Sequence, residues 1–284
     1  MIPLLDTHQH LIYPDRLAYA WVDGVPALCG KGFTLEDYQA LTAGRGIGGT
    51  LFMEVDADDH ERETRLVAAL ARQPGSGILG MVAACRPEQD GFDAWLDELA
   101  DLPVVGLRRI LHEVPDAVSQ GAGFRANVAQ LGKRNLTFDI VMRADQLPLA
   151  AALADACPNT RFILDHCGVP DIAGGGLDPW RAHTRDLSER GNLVAKLSGV
   201  MAYCDPANAT EEAIRPYVRH VIDCFGPDRC LWGSDWPVVD KCASLPEWIA
   251  AFRALIADLS EDEQRAVCNG TAQRVYGVSL PHPG

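Results

Sequence analysis

The sequence predicts a single (β/α)8 barrel, and three observations support that fold class. Eight short apolar runs alternate with longer amphipathic stretches along the chain. Each run is apolar on both faces until its last residues, as expected for parallel strands that helices cover. Eight strand-and-helix units in 284 residues match the usual length of such a barrel, so we expect one domain over residues 1–284.

The predicted strands are bounded by turn residues and end in polar residues. They are, in chain order, PLLDTHQH (3–10), GGTLFMEVD (48–56), GILGMVAAC (77–85), VVGLRRIL (104–111), LTFDIVM (136–142), RFILDHC (161–167), LVAKLSG (193–199) and CLWGSDWP (230–237).

The predicted helices lie between these runs and carry apolar residues at helical spacing. Several end at helix-stop signals such as Pro74, Pro158 and Gly226, and the last opens with a capping box of Ser260 and Glu263. The helices are expected at residues 35–46, 61–73, 93–102, 124–135, 146–157, 179–192, 211–226, 245–259 and 260–277.

A doubly wound open sheet is the alternative for such an alternation. Nucleotide-binding sheets of that kind place a glycine-rich loop directly after a strand. The segment GRGIGG at residues 44–49 precedes a strand instead, so we interpret it as a helix-to-strand turn. No Walker loop follows any predicted strand, which favours the closed barrel.

The composition excludes several classes of partner. The formal net charge of -14 argues against binding to nucleic acid or to an anionic membrane surface. No run approaches the roughly 18 apolar residues of a membrane helix, and residues 1–5 do not resemble a secretory signal. The nine cysteines form no CxxC pair, so we expect reduced thiols in a cytoplasmic protein.

Polar residues gather where the predicted strands end. Because the carboxyl ends of parallel barrel strands meet at one rim, these side chains are expected to share a site. They are Asp6, His8 and His10, then Glu54 and Asp56, Arg108 or Arg109 with His112, Asp139 and Arg143, Asp165 and His166, Lys196 and Ser198, and Ser234 and Asp235.

Three of these strand ends suggest a metal site. His8 and His10 alternate along a strand and therefore point to the same side. His166 adds a third imidazole, and Asp235 adds a carboxylate that can bind a metal or act as a base. Glu54 is a secondary candidate ligand. Two purely structural roles stay open for these residues. The histidines can be hydrogen-bonded core residues, and Asp235 can cap a helix.

Five segments together resemble the amidohydrolase superfamily. They are DTHQH, LRRILHEVPD, FILDHCGVP, LVAKLSGV and CLWGSDWPV, and the likeness runs from about Pro3 to Gly277. The most similar branch contains sugar-acid lactonases of the L-fuconolactonase and L-rhamnonolactonase type and 2-pyrone-4,6-dicarboxylate lactonase. The resemblance implies a (β/α)8 barrel that hydrolyses a cyclic ester, with a small lactone as its partner.

The sequence departs from the binuclear members of that superfamily. Those members carry a carboxylated Lys at the end of strand four and a His at the end of strand five. Here the corresponding segments read GLRRILHE and FDIVMR. The resemblance therefore implies at most one divalent ion, with zinc as the expected metal, which some lactonases of this branch do not need. No organic cofactor is expected.

The resemblance also suggests roles for individual residues. Asp235 is the candidate general base that activates water, and His166 is a catalytic hydrogen-bond donor or a third metal ligand. Arg108, His112 and Lys196 are expected to contact the ring substituents, although Lys196 suits a salt bridge equally well. Trp21 and Trp236 are expected to form an apolar wall.

Three other functions remain open at this point. A pyrone dicarboxylate lactonase needs several cations, which Arg108, Arg143 and Lys196 would supply. A metal-dependent decarboxylase of the same superfamily is a second alternative, and a barrel that binds a metabolite without turning it over is a third. The sequence identifies neither the lactone nor the oligomeric state.

Overall fold

The structure, a computed structural model, describes residues 1–281 and contains one eight-stranded parallel sheet. The strands are hydrogen-bonded in sequence order, each to the next, as the alternation of apolar runs predicted. They are β1 (Leu4–Gln9), β2 (Ile47–Met53), β3 (Ile78–Ala84), β4 (Val104–Ile110), β5 (Thr137–Val141), β6 (Arg161–Leu164), β7 (Leu193–Leu197) and β8 (Cys230–Trp232).

The first and last strands close the sheet into a barrel. Gln9 and Trp236 form a parallel bridge. The His10 amide donates to the Trp236 carbonyl, and the Asp235 amide donates to the His8 carbonyl, both at 2.8 Å. Thr7 adds a side-chain bond from Oγ1 to the Trp232 carbonyl at 2.7 Å. The predicted (β/α)8 barrel is thus confirmed.

Helices surround the barrel over residues 1–281. They are α1 (Leu35–Thr42), α2 (His60–Ala71), α3 (Phe92–Glu98), α4 (Ala117–Gln120), α5 (Ala122–Leu131), α6 (Leu147–Ala156), α7 (Trp180–Ser188), α8 (Glu211–Phe225), α9 (Leu245–Leu255), α10 (Glu261–Arg265) and α11 (Thr271–Tyr276). No helix in this part of the chain is long and apolar enough to span a membrane.

Five of the nine predicted helices end four residues earlier in the structure, and the last is divided; two of these differences have a clear structural basis. The helix expected at residues 35–46 ends at Thr42, because Gly44 and Gly46 adopt left-handed φ angles of 73° and 78°. The helix expected at residues 260–277 is divided by a π-helical turn over Ala266–Gly270, between α10 and α11. Both differences lie away from the strand ends that carry the candidate site.

The described residues form three apolar clusters, and the smallest, around Ile12 and Leu28, lies in the segment after β1. The largest apolar cluster fills the space between the strands and the outer helices, as expected for strands covered on that face. A second cluster includes Leu5, Ile163 and Leu231 from the strands and packs against Val275 and Tyr276 of α11. All nine cysteines are free thiols.

Candidate active site

A cavity of about 380 Å³ opens at the carboxyl ends of the strands. Polar residues from five strand ends line it, namely His10, Asp56, Arg108, His166 and Asp235. Its apolar wall is formed by Trp21, Val55, Ile110, Val141 and Val238. The size and the mixed lining suit a small ring that carries polar groups.

The paired histidines of β1 lie together, as their alternation predicted. Their ring centroids are 4.8 Å apart, and both side chains are buried. Nδ1 of His10 lies 2.9 Å from the Met53 carbonyl oxygen, which accepts a hydrogen bond from it and leaves Nε2 facing Asp235. Burial lowers the pKa of His8 well below its usual value, so this ring is neutral.

Asp235 lies against both of these imidazoles. Its Oδ1 is 3.4 Å from Nε2 of His10 and 3.6 Å from Nε2 of His8. The backbone at Asp235 has a left-handed φ of 57°, a conformation that Asp and Asn adopt more readily than other side chains. The bond from its amide to the His8 carbonyl fixes this geometry. The carboxylate is therefore held at the floor of the cavity.

His166 follows β6 and is also left-handed, with φ of 55°. Its Nδ1 lies 3.0 Å from Oγ of Ser198, and its ring centroid is 4.5 Å from that of His8. Burial lowers its pKa. Ser198 thereby orients a neutral imidazole whose other nitrogen is available to the cavity.

Arg108 faces the cavity, whereas Arg109 pairs with Glu88 outside it. Its Nε donates to Oε1 of Glu54 at 2.6 Å, and Nη2 donates to the Glu54 carbonyl at 2.6 Å. Its Nη1 reaches Oδ2 of Asp165 and Nε2 of His8, both at 3.2 Å. Four of the five guanidinium N–H groups are therefore engaged within the protein, which leaves one for a ligand.

Lys196 does not line the cavity, contrary to the expected substrate contact. It is fully buried, and its Nζ lies 2.5 Å from Oδ2 of Asp139 and 2.9 Å from Oδ1 of Asp165. The alternative of a salt bridge is the one that the structure supports. Burial raises the pKa of Asp139 to about 6. Burial also opposes ionisation of Asp165, yet Lys196 and His8 hold the pKa of Asp165 well below its usual value.

Two further expectations need correction. Trp236 does not line the cavity, because the chain alternation that brings Asp235 inward turns this ring toward Phe33 and Tyr38, each 5.5 Å away between centroids. Glu54 lies outside the cavity lining and outside the candidate ligand clusters of the described residues, and its two oxygens accept hydrogen bonds from the Asp56 amide and Arg108.

The other two predicted contacts do lie at the cavity. Trp21 is part of its wall, held by a bond from Nε1 to the Val55 carbonyl at 2.8 Å. His112 lies at the cavity with Nε2 3.1 Å from Glu113. Tyr203 also lines the cavity, and sequence reasoning missed it because it lies in a short 3-10 turn with no motif of its own.

The donors present fit one divalent ion if the ion replaces the contact between Nη1 of Arg108 and Nε2 of His8. His8, His10 and Asp235 each offer a ligand atom within 4.8 Å of the others. The two histidine-to-carboxylate distances given above are near the separation of about 3.4 Å between tetrahedral ligands that lie about 2.1 Å from zinc. His8, Asp165 and His166 are similarly close, but the Lys196 ammonium already lies beside Asp165 there.

Comparisons with known proteins agree with this geometry. A model of the Amidohydrolase family matches residues 5–278. The L-fucono-1,5-lactonase of Burkholderia multivorans is 26% identical, and the alignment covers 98% of this chain and 97% of that protein. The 2-pyrone-4,6-dicarboxylate hydrolase of Comamonas testosteroni is 29% identical over 78% of this chain and 74% of its own length.

A solved structure supports the same assignment. An amidohydrolase from Burkholderia multivorans, crystallised with bound zinc, superposes with a TM-score of 0.89 at 25% identity. The superposition covers 98% of this chain and all of the other. The family predicted from the five sequence segments is confirmed: this chain belongs to the amidohydrolase family.

Proposed function

We propose that this protein is a lactonase that hydrolyses an uncharged sugar-acid lactone, such as L-fucono-1,5-lactone or L-rhamnono-1,5-lactone. The observation that carries the proposal is the Asp235 carboxylate, held against two imidazoles at the floor of a cavity of matching size. The similarity to a protein named L-fucono-1,5-lactonase over nearly the whole chain supports it.

The proposed reaction uses Asp235 as a proton carrier. Its carboxylate accepts a proton from water while the water oxygen forms a bond to the lactone carbonyl carbon. When the ring carbon–oxygen bond breaks, the proton passes from Asp235 to the leaving alkoxide. One water is consumed, and the product is the open-chain hydroxy acid.

Other residues stabilise the charge that develops on the carbonyl oxygen. His166 and the remaining N–H of Arg108 are the hydrogen-bond donors in reach of the cavity. A divalent ion held by His8, His10 and Asp235 would polarise the carbonyl group and lower the pKa of the attacking water. Zinc is the ion we expect there, because two imidazoles and a carboxylate are ligands that it prefers.

The charges around the cavity favour an uncharged lactone over a pyrone dicarboxylate. The three cations that would hold two carboxylates do not converge: Lys196 is buried, and Arg143 bonds to the His112 carbonyl outside the lining. Arg108 is mostly committed to Glu54 and Asp165. The apolar wall with Trp21 and Val238 instead suits the C–H face or methyl group of a deoxy sugar ring.

Lactone hydrolysis is tested by acid release in weakly buffered solution. Because the cavity lacks free cations, kcat/KM for L-fucono-1,5-lactone is expected to exceed that for 2-pyrone-4,6-dicarboxylate by at least about tenfold. Spontaneous opening in buffer is subtracted. No acceleration with any lactone would leave the alternative of a binding protein, and carbon dioxide release from a carboxylated aromatic would identify a decarboxylase.

Metal content is tested on the purified protein. We expect about one zinc per chain, and the variant His10→Gln is expected to bind zinc about 10²-fold more weakly in competition with a chelator. His60→Gln is the matched control, since His60 lies on α2 outside the cavity lining. Equal zinc affinity of His10→Gln and the unmodified protein would contradict the ligand set. Full activity after chelation would assign carbonyl polarisation to the protein donors alone.

A further inference from the structure

Asp56 is a cavity residue that the proposed reaction does not use. It is the third residue after β2, which ends at Met53, and it lines the cavity on the side opposite His166 in the strand order. Its backbone has a left-handed φ of 53°. Such a conformation is uncommon for a residue with a side chain, and it persists where surrounding contacts hold it.

Glu54 supplies that contact. Its Oε2 accepts a hydrogen bond from the Asp56 amide at 2.9 Å, while its Oε1 accepts from Arg108 at 2.6 Å. Glu54 is almost completely buried and therefore rigidly placed. One buried carboxylate thus fixes both the guanidinium on one side of the cavity and the backbone that carries Asp56.

The Asp56 carboxylate itself has no partner within residues 1–281. No Lys, Arg or His nitrogen lies within 4.0 Å of it, and no side chain donates a hydrogen bond to it. It is half-buried, and burial followed by the nearby Glu54 charge raises its pKa. An unpaired acceptor carried by a fixed backbone at a cavity wall is a group that a ligand hydroxyl can satisfy.

We propose that Asp56 determines substrate specificity by accepting a hydrogen bond from a hydroxyl group of the lactone ring and by repelling rings that carry a carboxylate. The inference rests on the proposed lactonase function and adds the residue that distinguishes hydroxylated from carboxylated lactones. A site that hydrogen-bonds a substrate hydroxyl discriminates against analogues without it, because the polar group loses water on binding and gains no partner in return.

The variant Asp56→Asn tests this role with little structural change. Asn is as compatible as Asp with a left-handed backbone, and its side chain has the same shape. For L-fucono-1,5-lactone, kcat/KM is expected to fall about tenfold. For δ-valerolactone, which has no hydroxyl substituent, it is expected to change less than about twofold. For 2-pyrone-4,6-dicarboxylate it is expected to rise, because one repelling charge is removed.

A matched control is Asp101→Asn, which makes the same change in net charge. Asp101 is exposed and precedes β4, at the opposite end of the barrel. Its kinetics are expected to equal those of the unmodified protein with all three lactones.

The outcomes separate this inference from the proposed function. The specificity role is overturned if Asp56→Asn hydrolyses L-fucono-1,5-lactone as fast as the unmodified protein. It is also overturned if the variant loses activity to a similar extent with all three lactones. Either result leaves lactone hydrolysis as the proposed function. Failure of the unmodified protein to accelerate the opening of any of the three overturns the proposed function and the inference together.

Discussion

Asp235→Asn is expected to lower kcat for lactone hydrolysis by about 10²- to 10⁴-fold while the barrel stays folded. The amide keeps the shape of the carboxylate but cannot accept a proton from water. The left-handed backbone tolerates Asn, and the amide bond to the His8 carbonyl is unaffected by the change. KM is expected to change little, because the lost interaction forms as the proton moves.

The experiment separates base catalysis from metal binding. Kinetics are measured with zinc at saturation, since the same side chain is a proposed ligand, and circular dichroism reports whether the barrel is folded. Asp240→Asn is the matched control. It lies in the turn after β8, and burial raises its pKa to about 6, but it does not line the cavity. A kcat for Asp235→Asn within threefold of the unmodified protein would remove Asp235 from its proposed role.

Lys196→Met is expected to lower the free energy of unfolding by about 3–5 kcal/mol. The ammonium lies between Asp139 and Asp165 with all three side chains fully buried. Its removal leaves carboxylate charge in the barrel interior without compensation, which is far more costly than the loss of a surface ion pair. Urea denaturation followed by circular dichroism measures the change.

A second variant shows whether charge, rather than packing, causes the loss. Lys196→Met combined with Asp139→Asn removes the unpaired carboxylate, while the amide oxygen still accepts the bond that Tyr276 donates to Asp139 at 2.8 Å. At least about 1 kcal/mol of the lost stability is expected to return. A double variant no more stable than Lys196→Met would assign the effect to packing.

The loss from Lys196→Met is also expected to depend on pH. The pKa of Asp139 is already raised to about 6 in the folded protein, and removal of the ammonium raises it further. The folded state then binds a proton that the unfolded chain releases, so stability falls as pH rises through the folded pKa. The variant is therefore expected to be destabilised more at pH 8 than at pH 5, and an equal loss at both would contradict this account.

The fold and much of the site were predictable, because parallel strands impose a simple rule. Residues within the first three positions after a barrel strand reach the rim, and His10, His166 and Asp235 are such residues. The apolar runs that define the strands are visible without any long-range information. The register that turns Arg108 inward and Arg109 outward likewise follows from alternation once one of them is placed.

The two residues whose expected positions were wrong, Lys196 and Trp236, are placed by contacts with distant parts of the chain, which a local sequence pattern does not reveal. Lys196 lies within β7 and not beyond it, so its ammonium lies below the rim, where Asp139 of β5 and Asp165 after β6 supply carboxylates. Trp236 is one residue past Asp235 and packs on Phe33 and Tyr38, which are about 200 positions earlier in the chain. Only the folded barrel brings these segments together.

The closure of the barrel has a consequence for the newly made polypeptide. Thr7 and its hydrogen-bond partner Trp232 are 225 positions apart. One edge of β1 therefore stays unpaired until almost all of the chain has left the ribosome. Contacts between such distant segments form slowly, and an unpaired apolar edge invites association with other chains. Pairing of β1 with β8 therefore takes place only after synthesis is nearly complete. Until then, aggregation competes with folding to the native state.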